Sequence, residues 1–348
     1  MNYLPKILLP FLITFLITPL FMKLARRLDI LDHPGHRKIH KRAVPLLGGG
    51  AIYCGLIAGL LMNKDMVRSL LPIIVGATII LIIGLIDDVR GLSAQFRFVV
   101  ELIVVLILVK FGVCVSFLPS GFWGDLGEIL VTVVWVVGVT NACNYLDGLD
   151  GLAAGSAILN LFSFSVILAN TDQPDLAILA IILTSACLGF LPYNLRKAKI
   201  FLGDAGSTFL GFSLACIAIS GNWAEDNVAK ISIPMLVLGV PIFDMVFTTI
   251  LRIKEGKIKT LREWLQYGGR DHFHHFLVDL GLHTQGAVIF IYLLTFSLGI
   301  SAIMLSNDTA LEAVLSLSQA SITFIVVAVL IVVGKRRRSG WGVSKQER

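Results

Sequence analysis

Charge is what this sequence has least of. Only 15% of its 348 residues are Asp, Glu, Lys or Arg, against about 25% in soluble domains, too few to cover the surface of a water-soluble globule. With 56% apolar residues and a mean hydropathy of +0.85, intrinsic disorder is excluded as well, because it needs low hydrophobicity and high charge. Cysteine is also scarce. Cys54, Cys114, Cys143, Cys187 and Cys216 are scattered, mostly within apolar stretches, and form no CxxC pair, which argues against a disulfide framework or a zinc ribbon. No repeat of fixed period, low-complexity tract or soluble domain is evident. The longest polar segment runs from Arg252 to about Thr284.

What is present is a series of long apolar runs, at 4–22, 46–62, 70–86, 94–112, 129–146, 152–169, 175–193, 205–221, 231–251, 285–305 and 313–334. Each is near the roughly 17–25 residues needed to cross a bilayer. The sequence therefore predicts an all-α polytopic membrane protein with about eleven transmembrane helices, forming one integral-membrane domain over 1–348. The first run has only Lys6 before it and no small-residue cleavage site, so it reads as a helix rather than a signal peptide. Assigning the loops alternately places 24 of the 29 Lys and Arg residues on one side. The excess of positive loops marks that side as cytoplasmic, with the N-terminus outside and the C-terminus in the cytoplasm. Residues 252–284 then form a cytoplasmic loop and 335–348 a basic cytoplasmic tail. The net charge of +6 follows from this asymmetry, and no nucleic-acid partner is inferred. Lys335-Arg336-Arg337-Arg338 reads as a topology anchor that attracts anionic membrane lipids.

Five polar clusters fall on that same side. The first, Arg37 to Arg42 with Lys41, precedes Gly48-Gly49-Gly50 at a helix start. Basic residues there could hold phosphate, although no P-loop pattern is present. The second is Asp87-Asp88 at a helix C-terminus. Acids there oppose the helix dipole, and ionisable groups at membrane depth are costly, so the pair points to metal or proton chemistry. The third runs Asn141-Ala-Cys-Asn144-Tyr-Leu-Asp147-Gly-Leu-Asp150-Gly151. Its amide and carboxylate oxygens suit a hard cation such as Mg²⁺. It is not an EF-hand, because Ile158 stands at the twelfth position from Asp147. The fourth, Phe201-Leu-Gly-Asp204, opens a helix, where Asp204 is either an N-cap or an oxygen ligand. The fifth is Arg270-Asp271-His272-Phe273-His274-His275. Its spacing is not HExxH, and histidines beside Arg270 could bind a diphosphate or a nucleoside. Glu101, one turn from Arg97, is expected to pair with it. Asp244, in the same helix as Arg252, reads as structural.

Taken in order, Asp87-Asp88, the Asn141–Leu152 block, Phe201-Leu-Gly-Asp204 and His272-x-His274-His275 resemble the polyprenyl-phosphate N-acetylhexosamine-1-phosphate transferases. The similarity runs from Lys41 to His275. The eleven-helix layout, and Phe273 interrupting the histidines, favour the undecaprenyl-phosphate GlcNAc-1-phosphate branch over the sister phospho-MurNAc-pentapeptide transferases. The resemblance implies transfer of GlcNAc-1-phosphate from UDP-GlcNAc to undecaprenyl phosphate at the cytoplasmic face of the bacterial inner membrane, with UMP released. It implies Mg²⁺ as cofactor, with Mn²⁺ the alternative, and Asp204 and Asn144 as its ligands. It implies Asp87 as the acid that deprotonates the lipid phosphate, with Asp88 supporting that phosphate or the metal. It assigns Asp147 and Asp150 to the uridine pocket, and Lys41, Arg270, His272, His274 and His275 to nucleotide or diphosphate contacts. One-step displacement is expected, since no residue stands out as an activated nucleophile. A secondary transporter predicts inverted repeats with polar groups at the midplane instead. A CDP-alcohol phosphotransferase needs DGxxAR, and Asp150-Gly-Leu-Ala-Ala154 lacks the arginine. Gly55-x-x-x-Gly59 could support close helix packing, including that of a homodimer.

Overall fold

The computed structural model describes residues 4–34, 42–305 and 310–346. In chain order the elements are α1 (Leu4–Arg27), a short antiparallel hairpin of β1 (Leu31–Asp32) and β2 (Val44–Pro45), α2 (Gly48–Leu61), α3 (Lys64–Ser69), α4 (Leu71–Arg90), α5 (Ala94–Lys110), α6 (Phe122–Tyr145), α7 (Leu152–Asn170), α8 (Pro174–Asn194), α9 (Gly203–Ser220), α10 (Asn227–Val237), α11 (Gly239–Lys254), α12 (Leu261–Gln266), α13 (Phe273–Asp279), α14 (Thr284–Leu305) and α15 (Ala310–Gln346). The chain is a polytopic all-α membrane protein, and every apolar run read from the sequence lies on a helix or helix pair. Among the described residues, eight helices are long and apolar enough to cross a membrane, and the α10–α11 pair makes a ninth if it counts as one span. The remaining two runs are α2, of 14 residues, and α5, of 17.

The run at 231–251, expected as one helix, is two helices bent by 78°. Pro241 has no N–H to give the carbonyl of Val237, and its ring crowds that carbonyl, so the helix breaks at Leu238.

Helix α9 is the centre of the bundle, buried along nearly its whole length and packed on α2, α4, α6 and α7. Close approach is possible because Gly49 and Gly84 face it. A Cβ at either would run into the backbone of Gly206 or Ala205. Around this centre, α7, α8, α1 and α2 pack in sequence on one flank, and α14 closes against α7. Gly55 and Gly59 face Thr14 and Ala186, and Ile182, respectively. This small-residue face is therefore spent inside the chain and carries no argument for a homodimer.

Backbone hydrogen bonds tie the start of α2 to the segment before α9. Gly48 N–H donates to the Phe201 carbonyl (3.0 Å), Gly49 N–H to that of Leu202 (2.9 Å), and Phe201 N–H to that of Pro45 (2.8 Å). The glycine run expected to cradle phosphate thus uses the N–H groups of Gly48 and Gly49 to fix where α9 begins. Lys41 lies outside the described residues.

Candidate active site

The site is built from helix ends. Helix α4 stops at Gly91, whose φ of +66° is the left-handed conformation that glycine adopts without strain, and its N–H donates to the Asp87 carbonyl at 2.8 Å. Leu92 N–H donates to Asp87 Oδ1 at 2.5 Å. Ser93 then caps α5 by accepting from Phe96 N–H at 3.2 Å. This tight turn brings Arg97, in the first turn of α5, back over Asp87.

Arg97 Nη1 donates to Asp87 Oδ2 at 2.5 Å and also to Asp204 Oδ2. One guanidinium nitrogen therefore joins the end of α4, the start of α5 and the start of α9. The sequence pairs Arg97 with Glu101 and does not single it out for the site. In the fold, Glu101 is buried and accepts instead from Asn141 Nδ2 at 2.7 Å. The signal available in the sequence is a cation ten positions beyond Asp87, shortly after an N-cap serine.

Asp88, expected beside the lipid phosphate or the metal, spends both oxygens on α9. It accepts from Asp204 N–H at 2.8 Å and Ala205 N–H at 3.2 Å. Leu202 occupies the N-cap position of α9 without a side-chain bond, so Asp88 does the capping and Asp204 does not. These two backbone N–H groups at the positive end of α9 are the partners of Asp88 that its own helix end does not provide.

Asn144 lies in the last turn of α6, where its Oδ1 accepts from Ser207 Oγ at 2.7 Å. The same hydroxyl lies 3.0 Å from the Gly203 carbonyl, so Asn144 sits against the first turn of α9, which carries Asp204. Asp147 and Asp150 occupy the turn between α6 and α7. Asp150 Oδ2 accepts from Ala198 N–H at 3.0 Å, tethering the loop before α9. Burial, with the charges of Asp204, Asp150 and Asp32 nearby, pushes Asp147 up from 3.8 to about 7. The folded chain therefore holds a proton that the unfolded chain releases between about pH 4 and pH 7, and stability falls as pH rises through that window. Asp147→Asn should remove this effect. The melting temperature of the variant minus that of the parent should grow from pH 5 to pH 8. A difference that stays flat would show that the carboxyl ionises without penalty.

The histidine segment is held by a buried polar chain. Asp244 Oδ2 faces His272 Nδ1 at 3.2 Å, and its Oδ1 accepts from Phe273 N–H at 2.6 Å. His272 Nε2 lies 3.2 Å from Arg252 Nη2. Because Arg only donates, Nε2 accepts, and His272 gives its Nδ1 proton to Asp244. Arg252 then grips Asp271 with two bonds, at 3.0 and 2.7 Å, and lies over the Tyr267 ring. Asp244 and Arg252, which the sequence places on one helix, are thus joined through His272.

The His272 ring packs on Tyr145, 5.0 Å away, which links this segment to the end of α6 beside Asn144. His274 is buried between His272 and His275, with neither ring nitrogen hydrogen-bonded among the described residues. Desolvation pushes it down to about 3 and also lowers His275, so His274 is neutral at physiological pH. It reaches the Asp147-Gly148 turn because Gly148 lacks the Cβ that would strike its Nε2. Arg270 is exposed at the edge of the segment.

The arrangement thus gathers Asp87, Arg97, Asp204, Asn144, Asp147, His272 and His274 at one end of the bundle. No group of three or more His, Cys, Asp or Glu stands at metal-holding distance among the described residues. Asp87 and Asp204 nonetheless converge on the Arg97 guanidinium, and the Asn144 amide oxygen reaches the first turn of α9 through Ser207. Such oxygen donors suit a small hard ion rather than zinc.

The sequence profile of glycosyl transferase family 4 matches residues 70–222, the stretch from α4 through α9. A probable undecaprenyl-phosphate N-acetylglucosaminyl 1-phosphate transferase of Bacillus subtilis is 36% identical over 314 residues, covering 87% of this chain and 86% of that protein. A decaprenyl-phosphate N-acetylglucosaminephosphotransferase of Mycobacterium leprae is 31% identical, covering 81% and 78%. An undecaprenyl-phosphate alpha-N-acetylglucosaminyl 1-phosphate transferase of Escherichia coli is 28% identical, covering 80% and 78%.

Proposed function

This chain belongs to glycosyl transferase family 4, in its branch of polyprenyl-phosphate N-acetylglucosamine-1-phosphate transferases, and on that premise we propose that it moves GlcNAc-1-phosphate from UDP-GlcNAc to undecaprenyl phosphate. The products are undecaprenyl-diphosphate-GlcNAc and UMP. The observation that carries this reading is the meeting of α4, α5, α6, α9 and the histidine segment through the Asp87–Arg97–Asp204 bridge, the Ser207–Asn144 bond and the Tyr145–His272 contact. Two anionic substrates must be brought together, and such a site needs positive charge and fixed donors more than covalent chemistry.

Asp204 and Asn144 are the residues that would hold Mg²⁺, with Mn²⁺ the alternative. A ligand pair with one carboxylate and one amide fits Mg²⁺, which takes one or two carboxylates and completes its shell with water and substrate phosphates. When bound, the ion neutralises charge on the diphosphate and on the departing UMP. Arg97 adds a permanent positive charge, and its Nη2 and Nε make no hydrogen bond to the described residues, which leaves them for phosphate oxygens. Asp87 fixes Arg97. His274 is a neutral imidazole whose donor and acceptor are unfilled among the described residues, set against Gly148 in the turn after Asp147, an arrangement suited to a nucleoside. The lipid phosphate oxygen attacks the sugar-bound phosphorus, the bond to UMP breaks, and no enzyme-bound phospho-sugar forms.

Counting α2, α5 and the bent α10–α11 pair as crossings gives eleven, with the N-terminus outside. The distribution of 24 of 29 basic residues supports placing the site at the cytoplasmic face of a bacterial inner membrane, where nucleotide sugars reside.

Purified protein in nanodiscs, given UDP-GlcNAc, undecaprenyl phosphate and Mg²⁺, should release UMP. Release with UDP-MurNAc-pentapeptide alone would move the chain to the sister branch. A labelled phospho-sugar trapped on the protein without lipid would replace one-step displacement.

A further inference from the structure

Arg97 serves two acids of unequal exposure. The Asp87 side chain is 7% exposed and has a second partner in Leu92 N–H, whereas the Asp204 side chain is 41% exposed. Arg97 is the one basic side chain bonded to the Asp204 carboxylate among the described residues, and the Asp87 carboxyl lies within hydrogen-bonding reach of it. Arg97 itself is 26% exposed, so its guanidinium has room to move on the Asp204 side and little on the other.

We propose that Arg97 is an exchangeable counter-ion, which fills the place between Asp87 and Asp204 before a divalent ion binds, then cedes Asp204 to that ion while keeping Asp87. The inference rests on the proposed metal site at Asp204 and Asn144. Two carboxylates facing each other at the membrane boundary repel strongly without a cation between them. A guanidinium is suited to that place because it never loses its proton. Once a divalent ion reaches Asp204, the guanidinium and the ion repel across the same oxygen. The more exposed contact is the one that opens. The metal-free protein is thereby spared an unbalanced acid pair, and the ion's arrival frees Nη1 on the Asp204 side to join Nη2 and Nε toward the substrate phosphates.

The test uses the full chain in nanodiscs without nucleotide or acceptor lipid. Phenylglyoxal labelling of Arg97 is followed by peptide mass spectrometry with and without Mg²⁺, with exposed Arg68 of α3 as reference. Mg²⁺ should accelerate labelling of Arg97 severalfold and leave Arg68 unchanged. Asp204→Asn should label Arg97 fast from the outset and ignore Mg²⁺. Calorimetry on the same samples reports ion binding independently. If the parent binds Mg²⁺ through Asp204 yet Arg97 labels no faster, the exchange is wrong and the metal site stands. If no saturable binding occurs, both fall. Arg97→Gln should bind Mg²⁺ more tightly, by about tenfold or more, because a competing charge is gone. Unchanged or weaker binding in folded Arg97→Gln would overturn the exchange. Should that variant not fold, the labelling of the parent still decides.

Discussion

Asp87→Asn is expected to lose at least about a hundredfold in turnover, the scale of removing a group that preorganises charge at a reacting centre, and to recover none of it at alkaline pH. Both carboxylate oxygens of Asp87 are occupied: Oδ1 accepts from Leu92 N–H and Oδ2 from Arg97, each at 2.5 Å. An asparagine has one acceptor oxygen and two donor hydrogens. Whichever way the amide is turned, an NH₂ group faces either a backbone N–H or a guanidinium, and one of the two contacts becomes donor against donor. Either the turn into α5 loosens or Arg97 loses its buried partner. Raising the pH restores neither. The acceptor substrate also gives a base little to do, because a phosphate monoester with a second pKa near 6 is already mostly dianionic at neutral pH. A pH profile of kcat/KM for the variant and the parent decides the matter. Near-normal turnover of Asp87→Asn above pH 8 would assign proton removal to Asp87 and overturn its role as the residue that positions Arg97.

The helices are legible in the sequence because the bilayer imposes their length. Every apolar run near the crossing length forms a helix, and only the run containing Pro241 breaks into two. The motif positions are legible as well, since acids and amides at helix ends beside a membrane are costly enough to demand a reason. What the sequence does not disclose is which partner each side chain takes. Arg97 lies one turn from Glu101 in the same helix, and the nearest acid in sequence is the natural guess. The Gly91 turn instead folds Arg97 toward Asp87, ten residues earlier, and α9 delivers Asp204 from 107 residues away. Asp88 reads as a chemical group because adjacent acids look alike. In the fold they diverge, Asp88 turning to cap α9 and Asp87 holding Arg97. The glycine run at the start of α2 resembles a phosphate cradle, but two of its N–H groups meet carbonyls of a segment far along the chain. Each of these depends on tertiary proximity, which periodicity and spacing do not encode.

Asp244→Ala is expected to destabilise the histidine segment by about 3–5 kcal/mol, the usual cost of removing one member of a buried ionic or hydrogen-bonded pair, and to raise the KM for UDP-GlcNAc more than it lowers kcat. Asp244 is fully buried in α11, yet it makes three contacts there: His272 Nδ1 at 3.2 Å, Phe273 N–H at 2.6 Å and Thr248 Oγ1 at 3.2 Å. Two of these belong to residues on either side of the start of α13. Without the carboxylate, the Phe273 N–H loses its acceptor and the His272 Nδ1–H is left unpaired in an apolar setting. The ring of His272 is then free to leave Tyr145, and His274 loses the neighbour that stacks on it at 6.1 Å. Asp244→Asn keeps one acceptor oxygen and should lose less than the alanine variant. Unfolding in mixed micelles of Asp244→Ala, His272→Ala and the double variant measures the coupling directly. The two changes should be non-additive by at least about 1 kcal/mol, as for groups in direct contact. Additive losses would mean that Asp244 packs α11 without setting the histidine segment, and the nucleotide affinity of Asp244→Ala would then stay at the parent value.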